Sequence, residues 1–428
     1  MSALPQVVDL GAPLLVEIVG DLAAVESEWS ALCDEARAGC LFLSPEWLVP
    51  WWARFGGGRE LCSIAVREGG RLIGLLPLFR ERVRVGGLPI ERVAFLGDGA
   101  TGCDYLDVLA APGREAEVRD AVLAALGEQS WDVCDLDGIW RESATALALA
   151  QRFPAQRAIS ARAAGLDGPD LAVVRDARLR FVCPHIPLGG TWEEYLQGLG
   201  RRENLRRREK WLFRQPGVSI EVARGGEAAS RATAHFLELH RARWAVEGGS
   251  DGLADERHEE FHRDAIQRLA ARGWLRLYTL YAARRPVASV YGVVHRGKFL
   301  YYQSGYDPAW AGKSVGLVLL ARTVQDAFGE KLAEFDFLRG SEAYKAQWAR
   351  AQRWTIEIRL WRGARGRAAR AALGASTFAR ETVKAALPSA LIEAARRTRR
   401  ALRAPRAEGT PRWRAALRQL VAGAQADG

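Results

Sequence analysis

The same order of secondary-structure signals occurs twice in this chain of 428 residues, and this repeat limits the fold more than any other feature. Each copy reads as a strand, a turn, a returning strand, a third strand, a helix and a closing strand. In the first half these segments are residues 61–67, 72–79, 103–110, 114–126 and 131–136. In the second half they are residues 275–281, 287–295, 299–305, 316–328 and 333–338. The pattern predicts a duplicated α/β unit.

Length and charge divide the chain further. With 49% hydrophobic residues, it can bury a separate core in each of two domains, which we place at residues 1–175 and 176–363. A basic, Ala/Arg-rich helical tail at 364–428 follows, and residues 367–418 contain 13 Lys and Arg against 3 acids. The tail therefore carries the whole net charge of +10. It is expected to meet an anionic membrane surface or an acidic partner, or to be a solvated extension; specific nucleic-acid recognition is not expected.

Several classes of protein are disfavoured. No run of 18 apolar residues and no secretory signal is present, so we expect a cytoplasmic protein, with a peripheral position at the inner face of the membrane as an open alternative. The six cysteines are scattered without metal-ligand spacing, which predicts reduced thiols. Residues 258–262 have the HExxH spacing of zinc hydrolases, but the strands at 275–294 offer no third ligand. Packing or a substrate-side role is favoured there, and no metal is expected.

The loop before the helix of the second copy is the candidate cofactor site. A helix N-terminus presents unpaired N–H groups and a positive dipole end to a diphosphate, and Gly312 and Gly316 leave room for its approach. The first copy has only three residues, 111–113, at this place. The alternative is an ordinary helix entry. We expect the CoA part of a donor to be held by Tyr302, Gln303, Ser304, Gly312, Lys313, Ser314, Val315 and Gly316.

Charged and hydroxyl side chains follow the closing strand of the second copy, where α/β folds collect reactive groups. Asp336 or Glu342 is expected to take a proton from the acceptor. Tyr344 is expected to protonate a departing thiolate, and Lys345 to polarise the reacting carbonyl. The alternative is that Asp336 caps the next helix and Lys345 is solvated.

Residues that are polar and aromatic together are candidate contacts to the acceptor. They lie at the end of a helix, after the third strand of the second copy, and at the start of a strand in the first half: His240, Arg243, Trp244, Tyr306, Asp104 and Tyr105. The basic segment 201–210 is either a solvated helix face or a contact to an anionic acceptor.

Taken together, these motifs resemble the CelD/BcsL family of GNAT-type acetyltransferases, which is named for an association with cellulose biosynthesis. The resemblance covers residues 42–348 and rests on these segments: 42–47, 51–52, 104–107, 239–244, 302–308 and 335–340, with Tyr344, Lys345 and Trp348. The family is similar to the FemABX peptidyltransferases, which fold as tandem GNAT domains and transfer aminoacyl groups.

The resemblance implies a tandem GNAT-like fold of the α/β (α+β) class, with acetyl-CoA or another acyl-CoA bound in the second domain. The short link at residues 111–113 predicts that the first domain has no cofactor loop of its own. It implies that residues 299–304 pair with the pantetheine arm and that Lys345 matches the FemABX lysine. The implied reaction is acyl transfer to an amine or hydroxyl of a carbohydrate or cell-envelope precursor, in cellulose or exopolysaccharide biosynthesis. Two alternatives stay open: an aminoacyltransferase that uses aminoacyl-tRNA, and a non-catalytic scaffold of a polysaccharide-synthesis complex.

Overall fold

Two units make up the fold, and each contains strands and helices. The computed structural model describes residues 13–99, 101–153, 173–200, 202–247, 253 and 255–386. Unit 1 comprises Met1–Asp98, Cys103–Arg180 and Thr355–Ala368, and unit 2 comprises Gly99–Gly102, Phe181–Trp354 and Ala369–Gly428. The tail is helical from Gly363 to Ala386, and the rest of the expected tail helix lies outside the described residues. In the described part of the chain, no helix is both long and apolar enough to cross a membrane.

Unit 1 contains two sheets. Its strands are β1 (Leu14–Val19), β2 (Glu60–Leu61), β3 (Ser63–Glu68), β4 (Arg71–Leu76), β5 (Leu78–Val85), β6 (Leu88–Phe95), β7 (Leu109–Ala110) and β8 (Val133–Trp140), together with parts of β9 (Val173–Pro187) and β15 (Ala351–Arg362). One sheet has the order β1-β3-β4-β7, and β15, β8, β6, β5 and β2 are neighbours in that order in the other. Its helices are α1 (Glu26–Glu35), α2 (Pro45–Phe55), α3 (Glu115–Glu128), α4 (Ala144–Arg152) and the start of α11 (Gly363–Ala386), with a 3-10 turn at Leu41–Leu43.

Two strands expected in unit 1 are interrupted. The returning strand predicted at 72–79 is two strands, β4 and β5, which are separated at Pro77, a residue without a backbone N–H to donate. The strand predicted at 103–110 is reduced to β7 and a single bridge between Leu106 and Ile139. Tyr105 has a φ of 62°, which ends the extended conformation there.

Unit 2 is built on one mixed sheet. Its further strands are β10 (Ser219–Ala223), β11 (Leu275–Ala282), β12 (Arg285–His295), β13 (Lys298–Tyr306) and β14 (Glu334–Asp336), in the order β10-β11-β12-β13-β14-β9. Every pair is antiparallel except β13 and β14. Its helices are α5 (Trp192–Gln197), α6 (Arg202–Leu212), α7 (Gly226–Glu247), α8 (Glu256–Ala271), α9 (Val315–Gly329) and α10 (Ala343–Trp348), with a 3-10 helix at Pro308–Lys313.

Helices cover both faces of this sheet. Val290 belongs to the apolar core that contains α9 and the buried residues of α5 and α6. The next residue, Tyr291, points to the opposite face, where its ring meets Phe236 of α7 at 5.6 Å and His262 of α8 at 5.8 Å. This alternation is the expected consequence of strand geometry and places α9 on one face and α7 and α8 on the other.

A buried ion cluster fixes β14, the strand that leads to the candidate site. Arg353 on β15 contacts both carboxylate oxygens of Glu334, and its Nη1 lies 3.1 Å from Oδ2 of the fully buried Asp336. Burial raises the pKa of Glu334, but the hydrogen bond and charge of Arg353 outweigh it, so the net pKa lies below the ordinary value of 4.5. The carboxylate is therefore charged in the folded protein.

Replacing Arg353 by Met is expected to lower the free energy of unfolding by about 3–5 kcal/mol at pH 7, because two buried carboxylates lose their counter-charge. Since the folded pKa of Glu334 is depressed, its contribution is complete above pH 4.5 and is lost as the pH falls through the folded pKa. The difference in the free energy of unfolding between the wild type and the Arg353→Met variant should thus become smaller below pH 4.5. Urea unfolding at several pH values measures it. Arg322→Ala, which removes a half-exposed pair, should cost less than about 1 kcal/mol.

Candidate active site

Strand β13 pairs with the short parallel strand β14 only at its beginning. Lys298, Phe299 and Leu300 face Glu334, Phe335 and Asp336, and no pairing follows along β13 on that side among the described strands. After Asp336 the chain continues to form hydrogen bonds with β9, with Phe337 N donating to Pro184 O and Gly340 N donating to Val182 O. The edge of β13 from Tyr301 to Ser304 is thus left open to an extended, amide-containing ligand.

A bulge lies on this open segment. Tyr291 of β12 faces Gln303 and Gly292 faces Tyr301, so the register of β13 shifts by one residue at Tyr302. Such an extra residue re-aims the neighbouring side chains, and bulges of this kind are frequent beside active sites. Tyr301 packs with Phe335 and Phe337, whereas Tyr302 turns to α8 and its hydroxyl donates to Thr101 O at 2.7 Å. Of the expected cofactor contacts, Tyr302 therefore offers its backbone and not its side chain to the open edge.

The N-terminus of α9 lies beyond the end of β13. Ser314 precedes the helix with a φ of 60°, and its side chain makes no capping bond to the first turn. Its hydroxyl instead accepts a hydrogen bond from Arg208 of α6. The N–H groups of Val315 and Gly316 are in the first turn, which has no preceding helical carbonyl to bond. These groups and the Arg208 guanidinium form a seat suited to a diphosphate.

The two glycines of this loop leave open space but do not provide its left-handed residue. Neither Gly312 nor Gly316 has a positive φ, and the left-handed residue is Ser314. Both glycines are exposed; a Cβ on Gly312 would meet nothing within 4 Å, and one on Gly316 only Tyr306 at 3.9 Å. They keep the approach to the helix clear. Lys313 is exposed and its Nζ lies 5.0 Å from the ring of Trp211.

Side chains from three elements meet beside the open edge. Arg243 of α7 donates to Ser304 Oγ at 3.2 Å, and the hydroxyls of Tyr301 and Tyr344 are close enough for each to shift the pKa of the other. Burial, followed by the Tyr301 hydroxyl and the charge of Glu342, raises the pKa of Tyr344 well above its ordinary value of 10. Because a CoA thiol ionises at a lower pH, Tyr344 suits hydrogen-bond donation to a thiolate better than complete proton transfer.

A strained loop leads to Glu342 and Lys345, two of the expected catalytic residues. Leu338 has a φ of 55° and Gly340 a φ of 137°. The buried ammonium of Lys345 donates to Arg339 O at 2.6 Å and lies 3.1 Å from Oε2 of the exposed Glu342. An ammonium has three N–H groups, so one remains for a reacting carbonyl. The end of the loop and the first turn of α10 thus place a carboxylate and a cation next to Tyr344.

Asp336 does not join this group. Its side chain is completely buried, it accepts a hydrogen bond from Leu338 N at 2.8 Å, and it is paired with Arg353. A carboxylate that is engaged in this way has little access to the proton of an acceptor. We assign Asp336 to positioning the loop and keep Glu342 as the candidate base.

Four of the residues expected to contact the acceptor lie together in unit 2. The Arg243 guanidinium lies 5.1 Å from the Trp244 ring and 5.2 Å from the Tyr306 ring, and the His240 ring lies 5.9 Å from that of Trp244. Burial and the nearby Arg243 lower the pKa of His240 to about 3, so it is neutral at physiological pH. Its Nε2 is buried and has no hydrogen-bond partner among the residues that the structure describes.

The other two residues of that set, Asp104 and Tyr105, belong to unit 1. Asp104 is fully buried, and the carbonyl oxygens of both residues lie near Cys40 Sγ, at 3.9 and 3.4 Å. Their role in acceptor binding stays a prediction.

The HExxH segment lies on α8 and packs against the sheet. His258 Nδ1 contacts Asp255 Oδ1 at 2.7 Å, and the buried His262 ring lies 5.2 Å from Tyr302. Among the residues that the structure describes, no group of three His, Cys, Asp or Glu side chains could hold a metal.

One segment of the chain matches a known family. Residues 200–346 match the family described as acetyltransferase (GNAT) domain. This segment is a GNAT acetyltransferase domain. It contains the open edge of β13, the N-terminus of α9 and the cluster of Arg243, Tyr344 and Lys345. The chain is accordingly an acyltransferase, and GNAT domains use acyl-CoA donors.

Solved structures extend the similarity in fold beyond the GNAT domain. FemX is 12% identical, with a TM-score of 0.52 over 81% of this chain and 96% of FemX. A conserved protein of unknown function from Bacteroides thetaiotaomicron is 11% identical, with a TM-score of 0.50 over 81% of this chain and 100% of that protein. The expected tandem GNAT-like α/β fold is thereby confirmed. No protein with a curated description matches the chain.

One contributor to the site was not singled out from the sequence. Arg208 was part of a basic segment whose expected roles were a solvated face or contact with an anionic acceptor, yet it binds Ser314 beside the diphosphate seat. Nothing in the spacing of that segment distinguishes Arg208 from Arg206 or Arg207. The residue is recognisable only once α6 is packed against α9.

Proposed function

We propose that unit 2 transfers an acyl group, acetyl in the first instance, from CoA to an amine or hydroxyl of a carbohydrate or cell-envelope precursor. The observation that carries this proposal is the open edge of β13, which leads from the cluster at Tyr344 to the N-terminus of α9. The amides of a pantetheine arm can form hydrogen bonds with the backbone groups of the edge. A diphosphate can accept hydrogen bonds from the N-terminus of α9 and from Arg208. When bound, acyl-CoA supplies the activated thioester.

Three residues of the site have different roles in the proposed reaction. Glu342 accepts the proton of the acceptor, and Lys345 holds Glu342 in place and directs its remaining N–H at the reacting carbonyl oxygen. Tyr344 donates a hydrogen bond where the thiolate leaves. Most of the acceleration comes from holding donor and acceptor together, so the site needs only these few polar groups.

The acceptor is expected to lie against Arg243, Trp244 and Tyr306. Aromatic rings beside a guanidinium and a neutral imidazole suit a hydroxylated ring that carries an amine or an anionic group. The resemblance to the CelD/BcsL family supports a role in cellulose or exopolysaccharide biosynthesis, which we include in the proposal.

Replacing Arg208 by Ala should weaken the binding of acetyl-CoA by about 10- to 100-fold, because a charge-assisted hydrogen bond to the diphosphate seat is lost. Isothermal calorimetry with acetyl-CoA and free CoA measures the effect. Arg207→Ala is the matched control, since it removes the neighbouring exposed guanidinium and should change the affinity less than about threefold. Equal affinity of the Arg208 variant and the wild type would remove this residue from the donor site.

An aminoacyltransferase that uses aminoacyl-tRNA is the second candidate. The likeness of the fold to FemX and the cations of α6 favour it. Titration with aminoacyl-tRNA and with acetyl-CoA separates the two: tight, salt-sensitive binding of the former without binding of the latter would replace our proposal. Failure of both donors to bind would favour the scaffold role.

A further inference from the structure

Helix α6 carries a cationic face with an aromatic side chain at each margin. Trp211 is 38% exposed and Phe213 is 45% exposed, and the helical turn continues to Phe213, whose N–H donates to Glu209 O. At about 100° per residue, the exposed cations fall within about 100° around the helix axis and the two rings flank them. The cations are Arg206, Arg207, Lys210 and Arg214.

The rest of the helix fixes the direction of this face. Leu205 and Leu212 are buried in the core that contains α9, so the cations on the other side point away from that core. The two acids of α6 do little to neutralise them. Glu203 is in the first turn and pairs with Arg202 at 3.3 Å, and Glu209 is half-buried.

We propose that this cationic face, residues 206–214, docks the protein on an anionic membrane surface. Arginine and lysine near such a surface are attracted to acidic headgroups. Tryptophan and phenylalanine rings are favoured at the level of the headgroups, where part of the ring is removed from water. This docking is independent of the proposed acyl transfer, and it does not involve the basic tail.

The spacing of the two rings favours a membrane over a nucleic-acid strand. Trp211 and Phe213 are two residues apart and hence about 160° apart around the helix, so they cannot stack successive bases side by side. The Lys313 ammonium also lies over the Trp211 ring at 5.0 Å. When the cations between the rings face a planar surface, both rings reach its headgroup level.

Co-sedimentation of the full chain with vesicles of equal parts phosphatidylglycerol and phosphatidylcholine tests the proposal. The double variant Arg206→Glu/Lys210→Glu should reduce the apparent partition coefficient by about tenfold or more, because attraction is replaced by repulsion at two positions. Arg231→Glu/Arg257→Glu makes the same change in net charge at exposed positions of α7 and α8 and should reduce it less than about twofold.

The aromatic margin is tested separately. Phe213→Ser should weaken vesicle binding by about threefold or more, whereas Trp140→Ser, at a tryptophan that is 39% exposed in unit 1, should not. The proposal is wrong if the wild type does not bind anionic vesicles. It is also wrong if the α6 variants bind them as well as the control variants do, because the basic tail would then account for the binding. It is also wrong if the double variant loses acetyl-CoA binding to the same extent, since α6 would then serve the donor, or if RNA displaces the vesicles from the wild type.

Discussion

Replacing Gly340 by alanine is expected to lower the rate of acyl transfer by about 100-fold or more. An added Cβ would lie 2.0 Å from Glu342 Oε2 and 2.5 Å from Lys345 Nζ, so both groups have to move. The φ of 137° at this position is also one that alanine rarely adopts. Displacement of catalytic groups by about 1 Å is enough for a loss of this size. Release of CoA thiol in the presence of an acceptor amine measures the rate.

A matched glycine separates this local effect from a general one. Gly329, the last residue of α9, has no atom within 4 Å of an added Cβ and no positive φ, so Gly329→Ala should retain the wild-type rate. The affinity for acetyl-CoA should be unchanged in both variants, because the diphosphate seat lies at the other end of the open edge. Full activity of Gly340→Ala would show that Glu342 and Lys345 need not occupy these positions.

Replacing Lys345 by alanine should abolish measurable transfer. The change removes the cation proposed to face the reacting carbonyl and frees both Glu342 and the carbonyl of Arg339. Loss of one such electrostatic contact typically lowers kcat by a factor of about 10²–10³. Displacement of the proposed base, Glu342, should lower kcat further. The kcat should fall while the Kd for acetyl-CoA stays the same.

Two further variants divide the roles of Lys345. Lys345→Arg keeps the positive charge but changes its shape, and it should recover only part of the rate. Lys298→Ala removes a half-exposed lysine that contacts Glu334 at 3.4 Å and is the control for loss of a lysine in this unit. Thermal unfolding must be compared as well, because Lys345 is buried. A folded Lys345→Ala variant with normal turnover would end its assignment as a catalytic residue.

Local signals in the sequence were sufficient for the strands and helices around the site. Alternating apolar residues predicted β11 to β13, and the helix that begins at Val315 lies within one residue of its expected start. The predicted boundaries of helices and strands were wrong where single residues interrupt the repeat of apolar positions. The pattern of residues 191–212 predicts a single helix, whereas the structure has two, α5 and α6, separated by a segment with Gly198 and Gly200. Glycine weakens a helix by about 1 kcal/mol relative to alanine.

The side-chain partners of the site could not be predicted, because they depend on packing between distant segments. Asp336 was a reasonable base when only its neighbours in sequence were considered, and its burial against Arg353 depends on the pairing of β14 with β9 and the approach of β15. Arg243, Trp244 and Tyr306 were chosen for their residue types alone. Their proximity follows from the packing of α7 on β13, where an added Cβ on Gly305 would lie 2.5 Å from the backbone N of His240.

The most direct test of the proposed donor site is a crystal structure of the protein with a non-reactive acetyl-CoA analogue. We expect the diphosphate within hydrogen-bonding distance of the N–H groups of Val315 and Gly316 and of the Arg208 guanidinium. The pantetheine arm should extend along Tyr301 to Ser304, with its sulfur end at Tyr344. An analogue bound elsewhere on the chain, or absent from crystals grown at saturating concentration, would contradict the account.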